Sequence, residues 1–269
     1  MLTALLLGLL IGTVMGITGA GGGVLAVPAL VTGLGWSMQQ AAPVALIAMV
    51  GSAGAGAIEG LLHRLVRYRA AILIALISLP FTSLGILAAH ALPQVVLMRI
   101  FVLIMLISAI RSLRNTNRID QTIDTSSTLC ALGPIDSNTG RFIWSIRTAS
   151  VLASIGSIAG FMAGLLGVGG GFVIVPMLRR FTQLSIHSAV ATALLIIALV
   201  SAGGVASNLA HGVELPLQIT ATFAAASIGG MLISRRFAHR LSAAQVQRAF
   251  ALLLIVVAIG LGWQSFTRA

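Results

Sequence analysis

The chain has 269 residues, 58% of them hydrophobic and only 8% charged, with a net charge of +11. A soluble domain carries about 25% charged residues, so this composition excludes a soluble globular protein and points to a helical membrane protein. All sixteen basic residues are arginines, lying between apolar runs without forming a basic face or a stacking platform, which excludes a nucleic-acid partner.

In chain order, residues 2–18 resemble the apolar core of a signal peptide. No Lys or Arg precedes them, as a secretory signal requires, and a similar stretch recurs at 148–166, so both are read as part of the fold. "GAGGGVLAVPAL" follows at 19–30, then apolar runs at 41–62, 70–91 and 95–113. A polar stretch, 113–147, holds Asp120, Asp124, Asp136 and the single Cys130, which rules out an internal disulfide. "GVGGGFVIVPML" occupies 167–178, and runs at 186–209, 215–235 and 244–266 complete the chain. The runs are near the roughly 20 residues of a spanning helix and lack the alternation of a transmembrane barrel.

The halves repeat. "RIFVLIMLISAI" (99–110) lies opposite "RAFALLLIVVAI" (248–259), and "SAGAG" (52–56) opposite "SAGGV" (201–205), at an offset of 149. The predicted organisation is a first transmembrane repeat at 1–112, a cytoplasmic linker at 113–147 and a second repeat at 148–269. Each repeat is expected to hold one glycine-tipped re-entrant or broken helical hairpin plus three transmembrane helices, an all-α polytopic architecture typical of transporters.

Arginine placement orients the halves. If both glycine segments cross, nine arginines fall on one side and seven on the other; if both fold back, fourteen share one face, leaving Arg99 and Arg268 opposite. Cytoplasmic loops are enriched in arginine and lysine, so the fold-back arrangement is preferred. It predicts six full crossings, inverted repeats and both termini on the periplasmic or extracellular side of a bacterial inner membrane.

In that arrangement the glycines are hairpin tips at depth, where irregular backbone needs protein or a cavity around it. Glycine adopts positive φ and lets other groups approach the backbone. Short arms are expected to begin at Val24 and Phe172, with unpaired N–H groups and the positive end of the helix dipole at their starts. Gly19, Gly21, Gly22, Gly23 and Val24, with Gly167, Gly169, Gly170, Gly171 and Phe172, thus form a candidate anion site. The alternative use of such glycines is close helix packing.

Ser52, Gly56, Glu59 and His63 share one helical face, and Ser201, Asn208 and His211 a similar one. They either line the path or, for the serines, bond to their own helices. Glu59 is the one carboxylate within an apolar run, so it is either a proton-coupling residue or an interfacial ion-pair partner of Arg64 or His63. The scattered histidines at segment ends do not suggest a metal site, Glu214 is expected in an external turn, and no cofactor is expected.

The pattern G-x-G-G-G-x-x-x-x-P in both halves resembles the sulfite exporter TauE/SafE family of membrane permeases, over the whole chain. The second half resembles it most closely, reading "HSAVATALL" where the family has an Ala-Thr-Ser element near Thr192; the first half reads "QAAPVALIA" there. The resemblance implies a secondary transporter of sulfite, organosulfonates or related sulfur anions, with Thr192 near the substrate. The expected partners are a small anion and the lipid bilayer, with a homo-oligomer left open. The alternatives are a membrane subunit of a multi-component importer or an anion channel. An enzyme is not expected: there is no H-E-x-x-H, and without lysine no Walker A loop.

Overall fold

A computed structural model describes residues 1–119, 146–181, 186–213, 215–238 and 243–267. Glu214, His239, Cys130, Asp120, Asp124 and Asp136 lie outside the described residues. The described chain is helical, without strands: α1 (Leu2–Thr18), a 3₁₀ segment (Gly19–Leu25), α2 (Ala26–Leu34), α3 (Met38–Leu62), α4 (Tyr68–Ala91), α5 (Gln94–Ile119), α6 (Ile146–Leu166), α7 (Gly171–Phe181), α8 (Ile186–Ala210), α9 (Leu217–Ala238) and α10 (Ala243–Thr267). Helices α5 and α6 both extend into the stretch 113–147 read as linker.

Local chemistry sets the boundaries. Gly35 ends α2 in the left-handed conformation, and Ser37 and Gln40 then form a capping box that starts α3. Gly212 and Arg64 take positive φ in the turns after α8 and α3.

Seven described helices are long and apolar enough to cross a bilayer, one more than the six expected. The addition is Thr148–Leu166. The second half therefore supplies four such helices rather than three, because its first arm, α6, has 21 residues. The matching α1 has 17 residues, about 25 Å of helix, just short of the roughly 30 Å apolar thickness.

The helices pair between the two halves of the chain. Helix α1 lies on α9, α6 on α4, α3 on α8 and α5 on α10, and exchanging α1–α5 with α6–α10 leaves this set of pairings unchanged. Glycine stripes set two of the pairs. Gly8, Gly12 and Gly16 of α1 meet Phe223, Ser227 and Met231 of α9, and Gly156, Gly160 and Gly164 of α6 meet Ile74, Ser78 and Thr82 of α4. Both pairs run parallel, and their backbones approach so closely that a Cβ at Gly12 or Gly164 would collide with a carbonyl oxygen of the facing helix. By contrast α3 and α8 are antiparallel: Gly60 faces Ala191, Gly56 faces Leu194 and Leu46 faces Gly204. Helix α5 places Ser112, near its end, where it donates to the Gln247 carbonyl near the start of α10.

Candidate functional site

Both glycine segments reverse the chain. After α1 the reversal begins at Gly19, whose φ is +74°, and the returning strand of chain brings Gly22 against Met15 and Gly33 against Leu7. After α6 it begins at Gly167, with φ +70°. Gly19 sits against Val190 near the start of α8, and Gly167 sits against Ala42 near the start of α3. Since α3 and α8 are antiparallel, these reversals lie toward opposite ends of the bundle. Both α1 and α6 therefore pass the mid-length of α3 and α8 before turning, and the reversals are not themselves at the centre.

The chain then returns to the centre from both sides. Gly23 lies against Met49, and a Cβ there would be 3.5 Å from the Val168 carbonyl oxygen of the other segment. Gly169 lies against Met49, Ser201 and Ile197. Thus Gly23, Val168 and Gly169 meet beside Met49, midway along α3, and Ser201, midway along α8.

Polar groups at this meeting point are few and unequal. Ser201 is fully buried, and its hydroxyl has no hydrogen-bond partner among the described residues. Its counterpart Ser52 is also buried, but donates to the Ala48 carbonyl at 2.7 Å and touches the Met15 sulfur. An unpaired buried hydroxyl costs roughly 1–3 kcal/mol, so Ser201 is the group here that gains most from a polar ligand.

The two arms also start differently. Helix α7 opens directly on the glycines: the Gly170 carbonyl accepts from Val173 and Ile174, so the N–H groups of Gly171 and Phe172 precede any intrahelical bond. In the first half the 3₁₀ segment runs into α2, and the Ala26 N–H is bound to the Gly23 carbonyl. The helix there begins at Ala26 rather than Val24, and at α7 one residue earlier than expected, at Gly171. Val24 is buried, Phe172 half-buried, and Gly21 faces Phe250.

The other candidates lie apart. Thr192 is buried and accepts from the Arg67 backbone N–H at 3.1 Å, so it anchors the α3–α4 turn. It stands nine positions from Ser201, about 13 Å along the helix. Asn208 donates to its own helix at Gly204 and borders a cavity of about 20 Å³ with Gln39, Ile86 and His90, room for a single water. Glu59 pairs with neither Arg64 nor His63; its partner is Arg235 of α9, at 2.6 Å. His63 is exposed, as is His211, whose Nδ1 lies 2.6 Å from the Ser207 carbonyl oxygen. Among the described residues no group of three His, Cys, Asp or Glu side chains could hold a metal ion.

Sequence reading missed three participants. Met49 and Ile197 look like ordinary apolar helix residues, and nothing local links Arg235 to Glu59. The glycine stripes at 8, 12, 16 and 156, 160, 164 also went unread, although their four-residue spacing is a local signal that could have shown them.

The chain is similar to known membrane proteins. It is 26% identical to a probable membrane transporter protein of Xylella fastidiosa strain 9a5c over 261 residues, covering 96% of this chain and 93% of that protein. It is 32% identical over 124 residues to a probable membrane transporter protein of strain Temecula1, a match spanning 45% of this chain and about half (47%) of that relative. No solved structure matches. The profile of the family described as Sulfite exporter TauE/SafE matches residues 4–261, in both halves and across both glycine segments, and the chain belongs to that family of membrane transporters.

Proposed function

We propose that the protein is a secondary transporter of small anions, of the sulfite or organosulfonate class, working by alternating access. In this reading the two halves are inverted repeats, each glycine segment re-enters the membrane, and the termini face the periplasm from the inner membrane. Three features support the arrangement: the antiparallel α3–α8 pair, the exchange-invariant helix pairing and the arginine count, which reaches fourteen on one face when both segments fold back.

The observation that carries the site is the convergence of Gly23, Val168 and Gly169 beside the unpartnered Ser201 hydroxyl, with α7 starting two residues further on. No basic side chain is among the groups that meet there. Attraction for an anion then comes from backbone N–H groups, the α7 dipole and one hydroxyl, each charge-assisted bond contributing about 1.5–3 kcal/mol. A site without a fixed cation also lets the anion leave, which transport requires as much as binding. Calorimetry with sulfite, methanesulfonate and acetate on the purified protein tests the binding, and counterflow in proteoliposomes tests the carrier cycle. Saturable exchange is expected; flux that rises linearly with concentration would point to a channel.

A further inference from the structure

Glu59 and Asn208 occupy matching places in α3 and α8, 149 positions apart, as do Ile86 in α4 and Arg235 in α9. The two ends of the bundle therefore close with different chemistry. At the Asn208 end the amide bonds within its own helix and borders the water-sized cavity. At the Glu59 end Arg235 Nη1 donates to Glu59 Oε2 at 2.6 Å and to the Gly56 carbonyl at 3.1 Å.

Gly56 makes this crossing possible, since a Cβ there would stand 2.5 Å from Met231 and 3.2 Å from the guanidinium. The Arg235 side chain is only 21% exposed, whereas Glu59 is 46% exposed. The cation is thus held in place and mostly withdrawn from water, while the carboxylate has solvent to swing into. A half-buried guanidinium left without an anion is unfavourable. Its fork of donors accepts a carboxylate, and a sulfonate or sulfite offers the same paired oxygens. Glu59 occupies the place an arriving oxyanion would take.

We infer that Arg235 is a docking cation for the transported oxyanion at this end of the path, with Glu59 as its internal competitor, displaced when the anion arrives. This rests on the anion-transport reading above. Displacement also undoes the ion pair between α3 and α9, so anion arrival and loosening of this end become one event.

The test is initial-rate uptake of methanesulfonate into right-side-out and everted membrane vesicles carrying Glu59→Gln, Arg235→Gln or Arg235→Lys. Removing the competitor should lower KM about tenfold in one vesicle orientation only, the equivalent of about 1.4 kcal/mol. Arg235→Gln should raise KM in that same orientation, with Arg235→Lys between, because lysine keeps the charge but not the fork. Unchanged or raised KM in Glu59→Gln, or unchanged KM in Arg235→Gln, overturns the inference and leaves a plain structural tie. Absence of saturable methanesulfonate or sulfite flux in the parent protein would instead overturn the transport reading itself.

Discussion

Residues 19–28 and 167–176 share their glycine and proline spacing yet fold differently. The first segment winds into a 3₁₀ helix, and only Gly19 has positive φ. The second stays open, with Gly167, Gly169 and Gly170 all at positive φ, and then starts α7 abruptly. The residues between the glycines differ in a matching way. Ala20 is a good helix former, whereas Val168 is β-branched and resists tight helical turns. The serines beside the segments differ too: Ser52 is satisfied within its helix, and Ser201 is not. In the proposed reading the two segments therefore contribute unequally, the second supplying most of the groups offered to the anion.

The largest expected effect sets Gly169→Ala against Gly21→Ala, which occupy matching places. Gly169 has φ +64°, and a Cβ would lie 2.9 Å from both Met49 and Ser201. Left-handed backbone alone costs an alanine about 1–2 kcal/mol, so this variant should lower the melting temperature and weaken anion binding about tenfold or more. Gly21 is not at positive φ and would meet Phe250 at 3.4 Å and the Thr18 hydroxyl at 4.0 Å, both ordinary contacts, so its variant should stay within about 0.5 kcal/mol of the parent. Equal damage in thermal unfolding and calorimetry would break the comparison.

Ser201→Ala and Ser52→Ala should differ in sign. Removing the unpaired Ser201 hydroxyl should leave stability unchanged or raise it slightly, yet weaken anion affinity by about tenfold, the loss of one charge-assisted bond. Removing Ser52 should cost up to about 1 kcal/mol of stability and leave affinity as it was. Parallel melting curves and binding isotherms decide this, and unaltered affinity in Ser201→Ala would move the site elsewhere.

The smallest effect concerns Thr192, whose counterpart in α3 is Pro43. Thr192→Val removes the acceptor for the Arg67 N–H and should cost about 1 kcal/mol, with no change in anion affinity. A selective loss of affinity would return Thr192 to the binding site.

The sequence by itself determined the helices, most of the spans and the duplicated glycine segments. Each of these depends on near neighbours: an apolar run long enough for a bilayer, or a residue that tolerates positive φ. Where it went astray, the deciding contacts were distant. Glu59 had Arg64 and His63 close in sequence, but Arg64 turns away at φ +55° where α3 ends, and α9 brings Arg235 from 176 positions along. Thr192 and Ser201 share one helix, yet only packing gives one a backbone partner and leaves the other bare. The levels at which the chain reverses likewise depend on where Gly19 and Gly167 meet α8 and α3. Local chemistry chooses helix or turn. Which helices lie side by side, and in which direction, follows from how closely small residues let their backbones approach across the whole bundle, and that choice decides which polar groups are left to meet a ligand.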